Sequence, residues 1–318
     1  MAPDPTSFTD ALVAADTLAF IDARRGSLLL HAGACVDSHG RAVVVHGGSG
    51  AGKTTLTTAL AEAGLAYLTD ETVCLDPSTL LIEPFPKPLT VKRGSQEVLA
   101  HLRPGVDRVD PHSGNWQVDP DALLAFGAVE RPLVPIRPAV IVFPDFAAGF
   151  DGVEAAPVGR ASAAYVLGEQ SSALWAVEPR PLGSLERLVS SAAAYRVRYG
   201  SAFEAAPRIL ADLLPAVLPA LPGKAAGAPP RGDPNGLGPC WGGGVDWLVL
   251  DDEAVLFDGS HLHHLDRSGT AVWLRLDGSR DEPAVADEIA AEFGADPGAV
   301  LVDVEDLVRV LRARRLLA

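Results

Sequence analysis

From residue 27 to residue 75 the chain alternates short, almost wholly apolar runs with tight polar breaks. Runs that are apolar at successive positions fit strands covered on both faces, not a helix with one wet side. Ser27–Val36 and Ala42–His46 therefore predict strands joined at Ser38-His39-Gly40, and Leu65–Thr69 predicts the next. Thr72–Leu75 and Leu80–Ile82 predict a hairpin around Asp76-Pro77, and Ala139–Phe143 a further buried strand. Helical spacing appears over Lys53–Ala63, Leu182–Ala194 and Ala206–Leu214. Strands and helices interleaved in this way predict an α/β core over residues 1–218.

The pattern lapses over 219–245, where Pro, Gly and Ala crowd together with no sustained period, the composition of a linker. It resumes in 246–318. Trp247–Leu250, Ala254–Phe257 and Leu262–Leu265 predict short strands turned at Asp251-Asp252-Glu253 and Asp258-Gly259-Ser260. Ser268 is the expected N-cap of a helix over Gly269–Leu276. A second helix is expected over Glu282–Phe293, stopping at Gly294, and a third over Val302–Leu316. The whole predicts a small α+β, winged-helix-like domain. A linker of this kind also predicts few contacts across it, so that each unit folds alone and 246–318 works in isolation.

Composition narrows the partners more than the fold. A net charge of −15 argues against nucleic acid or an anionic membrane surface as the partner. Residues 246–318 carry 16 Asp and Glu against 7 Lys and Arg, so −9 of that charge lies in the smaller unit. No apolar run reaches the roughly 18 residues of a membrane span. The start, MAPDPTSFTD, lacks the basic and apolar parts of a signal peptide, so the expected location is the cytoplasm. Cys35, Cys74 and Cys240 are scattered, with no disulfide framework.

One stretch carries chemistry. After the run Val43-Val44-Val45 come Gly47, Gly48, Ser49, Gly50, Ala51, Gly52, Lys53, Thr54 and Thr55, which match the P-loop pattern between a strand and a helix. Glycines let the backbone N–H groups close on phosphate, Lys53 reaches the β- and γ-phosphates, and the Thr54 hydroxyl ligates Mg²⁺. The helix that follows points its positive end at the same anion. ATP with Mg²⁺ is the expected cofactor. Phosphoryl transfer also needs carboxylates and a further cation. Asp70 and Glu71 stand at the end of the next strand, where one acts on an acceptor hydroxyl and the other on Mg²⁺. Lys92 and Arg93 are the best candidates for the cation, with Arg137 and Arg160 behind them. His261, His263 and His264 lack a third partner of matching character nearby, so no metal centre is expected there.

LLLHAGACVDSHGRAVVVHGGSGAGKTTLTTALAEAGLAYLTDE resembles the catalytic core of the HPr kinase/phosphorylase group, protein serine kinases with a fold similar to phosphoenolpyruvate carboxykinase. The resemblance includes a His opening the strand before the P-loop, matched by His31, and paired acids, matched by Asp70 and Glu71. It implies that His31 lies near the transferred phosphate, that Asp70 is the general base and that Glu71 helps Thr54 to hold Mg²⁺. PFPKPLTVKRGS and AVIVFP extend the likeness to shorter kinases of the type that modify lasso-peptide precursors. The chain shows no match to the group's separate N-terminal domain or its phosphorylase loop, so HPr is not the expected substrate.

Residues 265–317 are similar to the PqqD-like family, through Trp273, the turn Leu276-Asp277-Gly278, Ile289-Ala290, Phe293, Asp303-Val304 and Leu316-Leu317. That family binds the leader of a ribosomally made precursor peptide as an added strand. The resemblance implies an edge at His261–Leu265 and a facing helix at Val302–Leu316. Together the two likenesses imply a kinase that phosphorylates a Ser or Thr of such a precursor. A kinase for a small hydroxylated molecule, and a non-catalytic nucleotide-gated peptide chaperone, are the alternatives.

Overall fold

The computed structural model describes residues 9–177, 180–214, 232–233 and 235–318. The chain divides into two compact units. Met1–Val158, Gln170–Glu178 and Arg187–Lys224 form the first; Gly159–Glu169, Pro179–Glu186 and Ala225–Ala318 form the second.

In chain order the first unit holds α1 (Thr9–Ala23), β1 (Leu28–Val36), β2 (Arg41–His46), α2 (Lys53–Glu62), β3 (Ala66–Thr69), β4 (Thr72–Leu75) and β5 (Ile82–Glu83). There follow β6 (Leu89–Val91), β7 (Trp116–Val118), β8 (Arg137–Phe146) and β9 (Val153–Pro157). Next in the chain are α3 (Arg160–Glu169) and α4 (Pro181–Ser191), then β10 (Ala193–Tyr199) and α5 (Ala202–Arg208). A mixed eight-stranded sheet runs β5-β4-β1-β2-β8-β10-β9, with β3 also paired to β1. This is the α/β core that the interleaved pattern predicts.

The long β1 has two partners along one side. Leu28–His31 pair with β4, and Ala34–Val36 with β3. The gap between those partners is Asp70-Glu71, beside Ala32, whose N–H donates to the Glu71 carbonyl (3.1 Å). On the other side Ala32 pairs with His46, the last residue of β2. The topology thus brings the glycine-rich loop and the two acids to opposite sides of one point on β1. Helix α2 packs on the sheet through Leu56 and Leu60 against Cys35, Val43, Val45 and Val142. Its approach is so close that a Cβ on Gly33 would stand 2.1 Å from Thr57 Oγ1.

The second unit holds β11 (Asp246–Leu250), β12 (Glu253–Phe257) and β13 (Leu262–Leu265) in an antiparallel sheet. It is completed by α6 (Arg267–Trp273), α7 (Glu282–Phe293) and α8 (Pro297–Ala313). One sheet face meets these helices around the fully buried Trp273, with Trp247, Leu256, Val304, Val308 and Leu311. The other face carries Leu248, Leu250, Val255 and Leu262, also buried. Helix α3 packs on all three strands, and the alternation of side chains along them sets it on that second face.

Several boundaries differ from the sequence reading. Helix α4 ends at Ser191 and Ala193 opens β10, because pairing with β8 and β9 overrides the helical preference of the alanine run. Asp266, not Ser268, caps α6, accepting from the Gly269 N–H (2.8 Å). Helix α8 starts at Pro297, capped by Asp296. The proposed linker falls largely outside the described residues, but its end is not a linker. Trp241 is buried in the second core, donates to the Trp273 carbonyl (2.7 Å) and bridges to Leu317.

Candidate functional site

Strand β2 stops at His46 and the chain enters the glycine-rich loop. Gly50 and Gly52 have φ of 85° and 89°, the left-handed region that a side chain would strain. Helix α2 starts directly after, with no side-chain cap, so its first N–H groups are left for an anion or water. Lys53 turns back over the loop, donating to the carbonyls of Gly47 (2.6 Å) and Gly48 (3.1 Å). Lys92 reaches the same loop from beyond β6, its Nζ donating to Ser49 Oγ (3.1 Å). Burial, with the Lys92 charge second, pulls Lys53 down to about 8. Two ammonium groups thus share one small loop.

The acids lie within reach of the helix start. Thr54 donates to Asp70 Oδ2 (3.2 Å), and the Tyr67 hydroxyl donates to Asp70 Oδ1 (3.1 Å). Lys87, only 2% exposed, bridges Asp70 (2.8 Å) and Glu71 (3.1 Å). Burial alone would lower the Lys87 pKa, but the two carboxylates outweigh it and hold it above the ordinary value. Two carboxylates and one ammonium leave a single net negative charge. The pair is unequal: the Asp70 side chain is 3% exposed, that of Glu71 41%. Asp70, with three donors, is the acid set against Thr54, whereas the sequence reading gave the metal side to Glu71. Glu71 is the accessible one.

His31 pairs with Thr72 across β1 and β4, which sets it beside the acids. Burial and then the charge of Lys53 hold its imidazole below the usual value, while Glu71, Lys92 and Asp70 also act on it. The five residues singled out from sequence, His31, Lys53, Asp70, Glu71 and Lys92, therefore share one electrostatic neighbourhood. The remaining candidates are engaged elsewhere. Arg93 donates to the Ser113 carbonyl (2.8 Å), Arg137 to that of Thr79, and Arg160 to Asp251.

Sequence reasoning missed Lys87, Tyr67, His46 and Tyr199. His46 is fully buried, neither ring nitrogen is bonded among the described residues, and burial drives it down to about 3. The Tyr199 hydroxyl is buried with no hydrogen-bond partner among the described residues, and a Cβ on Gly52 would come within 3.1 Å of it. A lysine enclosed in an apolar, proline-flanked run (Phe85-Pro86-Lys87-Pro88-Leu89) was the available signal for Lys87. Uncapped amides, Lys53, the Thr54 hydroxyl and hard carboxylate oxygens are the donor types that suit a magnesium-bound polyphosphate.

The second unit offers a different feature. Strand β13 ends its sheet, and among the described residues nothing pairs with its outer side. The turn before it is closed by the Asp258 N–H on the His261 carbonyl (3.2 Å). Antiparallel alternation from that pair turns the backbone of His263 toward β12 and that of Leu262 and His264 outward. His263 lies between Asp258 (3.4 Å) and Arg314 (3.0 Å), and His264 bonds Glu253 (2.9 Å).

Comparison with known proteins matches this second unit. Residues 247–317 fit the family described as coenzyme PQQ synthesis protein D (PqqD). Over 71 residues, 22% of this chain, the sequence is 38% identical to the PqqA binding protein of Xanthomonas oryzae pv. oryzae, covering 70% of it. The same figures hold for that of Xanthomonas euvesicatoria pv. vesicatoria. Among solved structures, TbiB1 in complex with the TbiA(beta) leader peptide is 30% identical, over 24% of this chain and 92% of that one, with a TM-score of 0.23. Among the described residues, no helix is long and apolar enough to cross a membrane.

Proposed function

Because the chain belongs, through residues 247–317, to the PqqD family, we propose that its second unit captures the leader of a ribosomally made precursor peptide and its first phosphorylates a Ser or Thr of that peptide. The capture half draws on relatives named for binding PqqA and on the open edge of β13. Backbone pairing supplies affinity in such an arrangement, and side-chain pockets supply selectivity. Tethering the peptide raises its effective concentration to roughly the millimolar range, so recognition at the catalytic site can be loose.

The catalytic half rests on one observation: the 3.2 Å bond between Thr54 and Asp70 at the start of an uncapped helix. Bound ATP with Mg²⁺ supplies the phosphoryl group and the divalent charge. Lys53 and the loop amides from Gly47 to Thr55 hold the phosphates, and Thr54 with Asp70 provides oxygen ligands on the metal side. Glu71, being accessible, takes the acceptor hydroxyl's proton in this reading. Lys92 and His31 add donors where negative charge develops. The division between Asp70 and Glu71 follows from their exposure and reverses what the kinase likeness implies.

The test uses the full chain, γ-labelled ATP and synthetic peptides for any short reading frame found beside its gene. Label on a peptide Ser or Thr, lost in Lys53→Ala, is the expected result. Transfer to free serine or a sugar without peptide would replace this reading with a small-molecule kinase. Nucleotide binding with no transfer to any acceptor would leave a chaperone.

A further inference from the structure

The residues that match the family begin at Trp247, yet the second unit is not built from them alone. Helix α3 lies on the sheet through its buried Ala161, Ala164 and Leu167 and packs most heavily against β13, the open strand. An α-helix with its side chains is about 10–12 Å across. An added strand would lie only about 4.7–4.9 Å beyond β13. A helix of that width that packs on β13 therefore stands at the border of the lane that the added strand would occupy.

The side chains along that border are specific. Tyr165 stacks on His264 of β13, ring centroids 5.7 Å apart at 23°. Glu169 follows one helical turn later, exposed, and its charge, after burial, raises the Tyr165 hydroxyl above its ordinary value. Among the described residues Glu169 makes no salt bridge. From the opposite side Arg314, at the end of α8, donates to His263 Nδ1 (3.0 Å), and its charge is felt by Tyr165. The two sides thus converge on the same strand edge, one from within the family segment and one from far outside it.

We propose that α3 is a wall of the peptide groove: a peptide strand paired to β13 is read by Tyr165 and Glu169, and carries a basic side chain facing Glu169. The proposal rests on the leader-capture reading above. It adds that selectivity is written partly in residues outside the family segment 247–317. A basic residue follows from the charge: among the described residues Glu169 has no salt-bridge partner, in a chain of net charge −15.

The probe is a displayed library of random linear peptides, each of twelve or so residues, selected on the full chain. Enriched peptides are resynthesised with alternate backbone amides N-methylated, which removes strand pairing without touching the protein. N-methylation on one alternating set is expected to abolish binding. Tyr165→Ala is expected to weaken binding about three- to tenfold, by loss of an aromatic contact. Glu169→Lys, at an exposed site, is expected to turn the selected position from basic to acidic. Peptides that need their amides but ignore both substitutions overturn the α3 wall and leave leader capture standing. Peptides indifferent to N-methylation, or no enrichment at all, overturn leader capture and this inference with it. Circular dichroism on both variants separates lost contacts from lost fold.

Discussion

Removing the Lys87 ammonium would strip two carboxylates, one of them buried, of their shared counter-charge. Breaking such a buried pair from one side costs about 3–5 kcal/mol. Lys87→Met should lower stability by that order in urea unfolding, and adding Asp70→Asn should restore part of it. Equal stability of Lys87→Met and the parent would mean the bridge does not hold the acids. The proposed division of labour makes a separate prediction. Asp70→Asn should raise the Mg²⁺ concentration needed for half-maximal transfer. Glu71→Gln at saturating Mg²⁺ should lower turnover by about two to four orders of magnitude, the usual range for general-base catalysis. The opposite pattern would return the base to Asp70. Most of this cluster was legible in sequence, because Lys53, Thr54, Asp70 and Glu71 belong to motifs with fixed spacing. Lys87 was not: its role depends on where the chain after β5 folds back, which no local pattern records.

Elements with strong local signals were read closely, and those decided by neighbours were not. Helices α2 and α7 and the strands of the second sheet carry clear period and stop signals, and Gly294 closes α7 with φ 67°. Helix α3, RASAAYVLGE, escaped notice because its alanines give no contrast between a wet and a dry face. Close packing sets the next prediction. Gly33→Ala would drive a methyl onto Thr57 Oγ1 and should cost about 1–3 kcal/mol, the usual price of overpacking. Thr57→Ala in the same chain should recover most of that in a melting series; no recovery would locate the strain elsewhere. The β12–β13 turn predicts a pH dependence. Burial pushes the Asp258 carboxyl upward, but bonds from His261, Ser260 and His263 outweigh it and hold it far below the carboxylate range. Its contribution is full above the unfolded value, near 4, and fades as pH falls below it. The melting-temperature gap between the parent and Asp258→Asn should therefore narrow between about pH 6 and about pH 3. A constant gap would show that the turn needs no charge.

At the scale of the molecule, the expectation of two units that separate at a linker gives way to a second unit assembled from three stretches of chain. Asp251 anchors one stretch, accepting from the Arg160 N–H (2.9 Å) and guanidinium, and so caps α3 from a β-turn. Asp246 anchors another through the Arg180 guanidinium (2.7 Å) and the Leu182 N–H (3.3 Å). Proline, glycine and alanine between 219 and 245 told of a linker but not of what its far side would grip. Deleting the chain after Gly236 should therefore expose Arg160–Glu169 to fast amide exchange, and 246–318 alone should be less stable than the same residues in the full chain. Unchanged protection of α3 after the deletion would contradict this. Asp251→Ala should loosen α3 by about 1 kcal/mol, as for loss of a helix cap. The same bond sets a schedule for biosynthesis. Arg160 and Asp251 are separated by 91 residues, which at ribosomal rates of 5–20 residues per second is about 5 to 18 s of translation. During that interval the nascent chain displays an alanine-rich helix whose seat has not yet been made. A chaperone that shields that surface, or slow codons after β13, would govern how much of the protein reaches its native form.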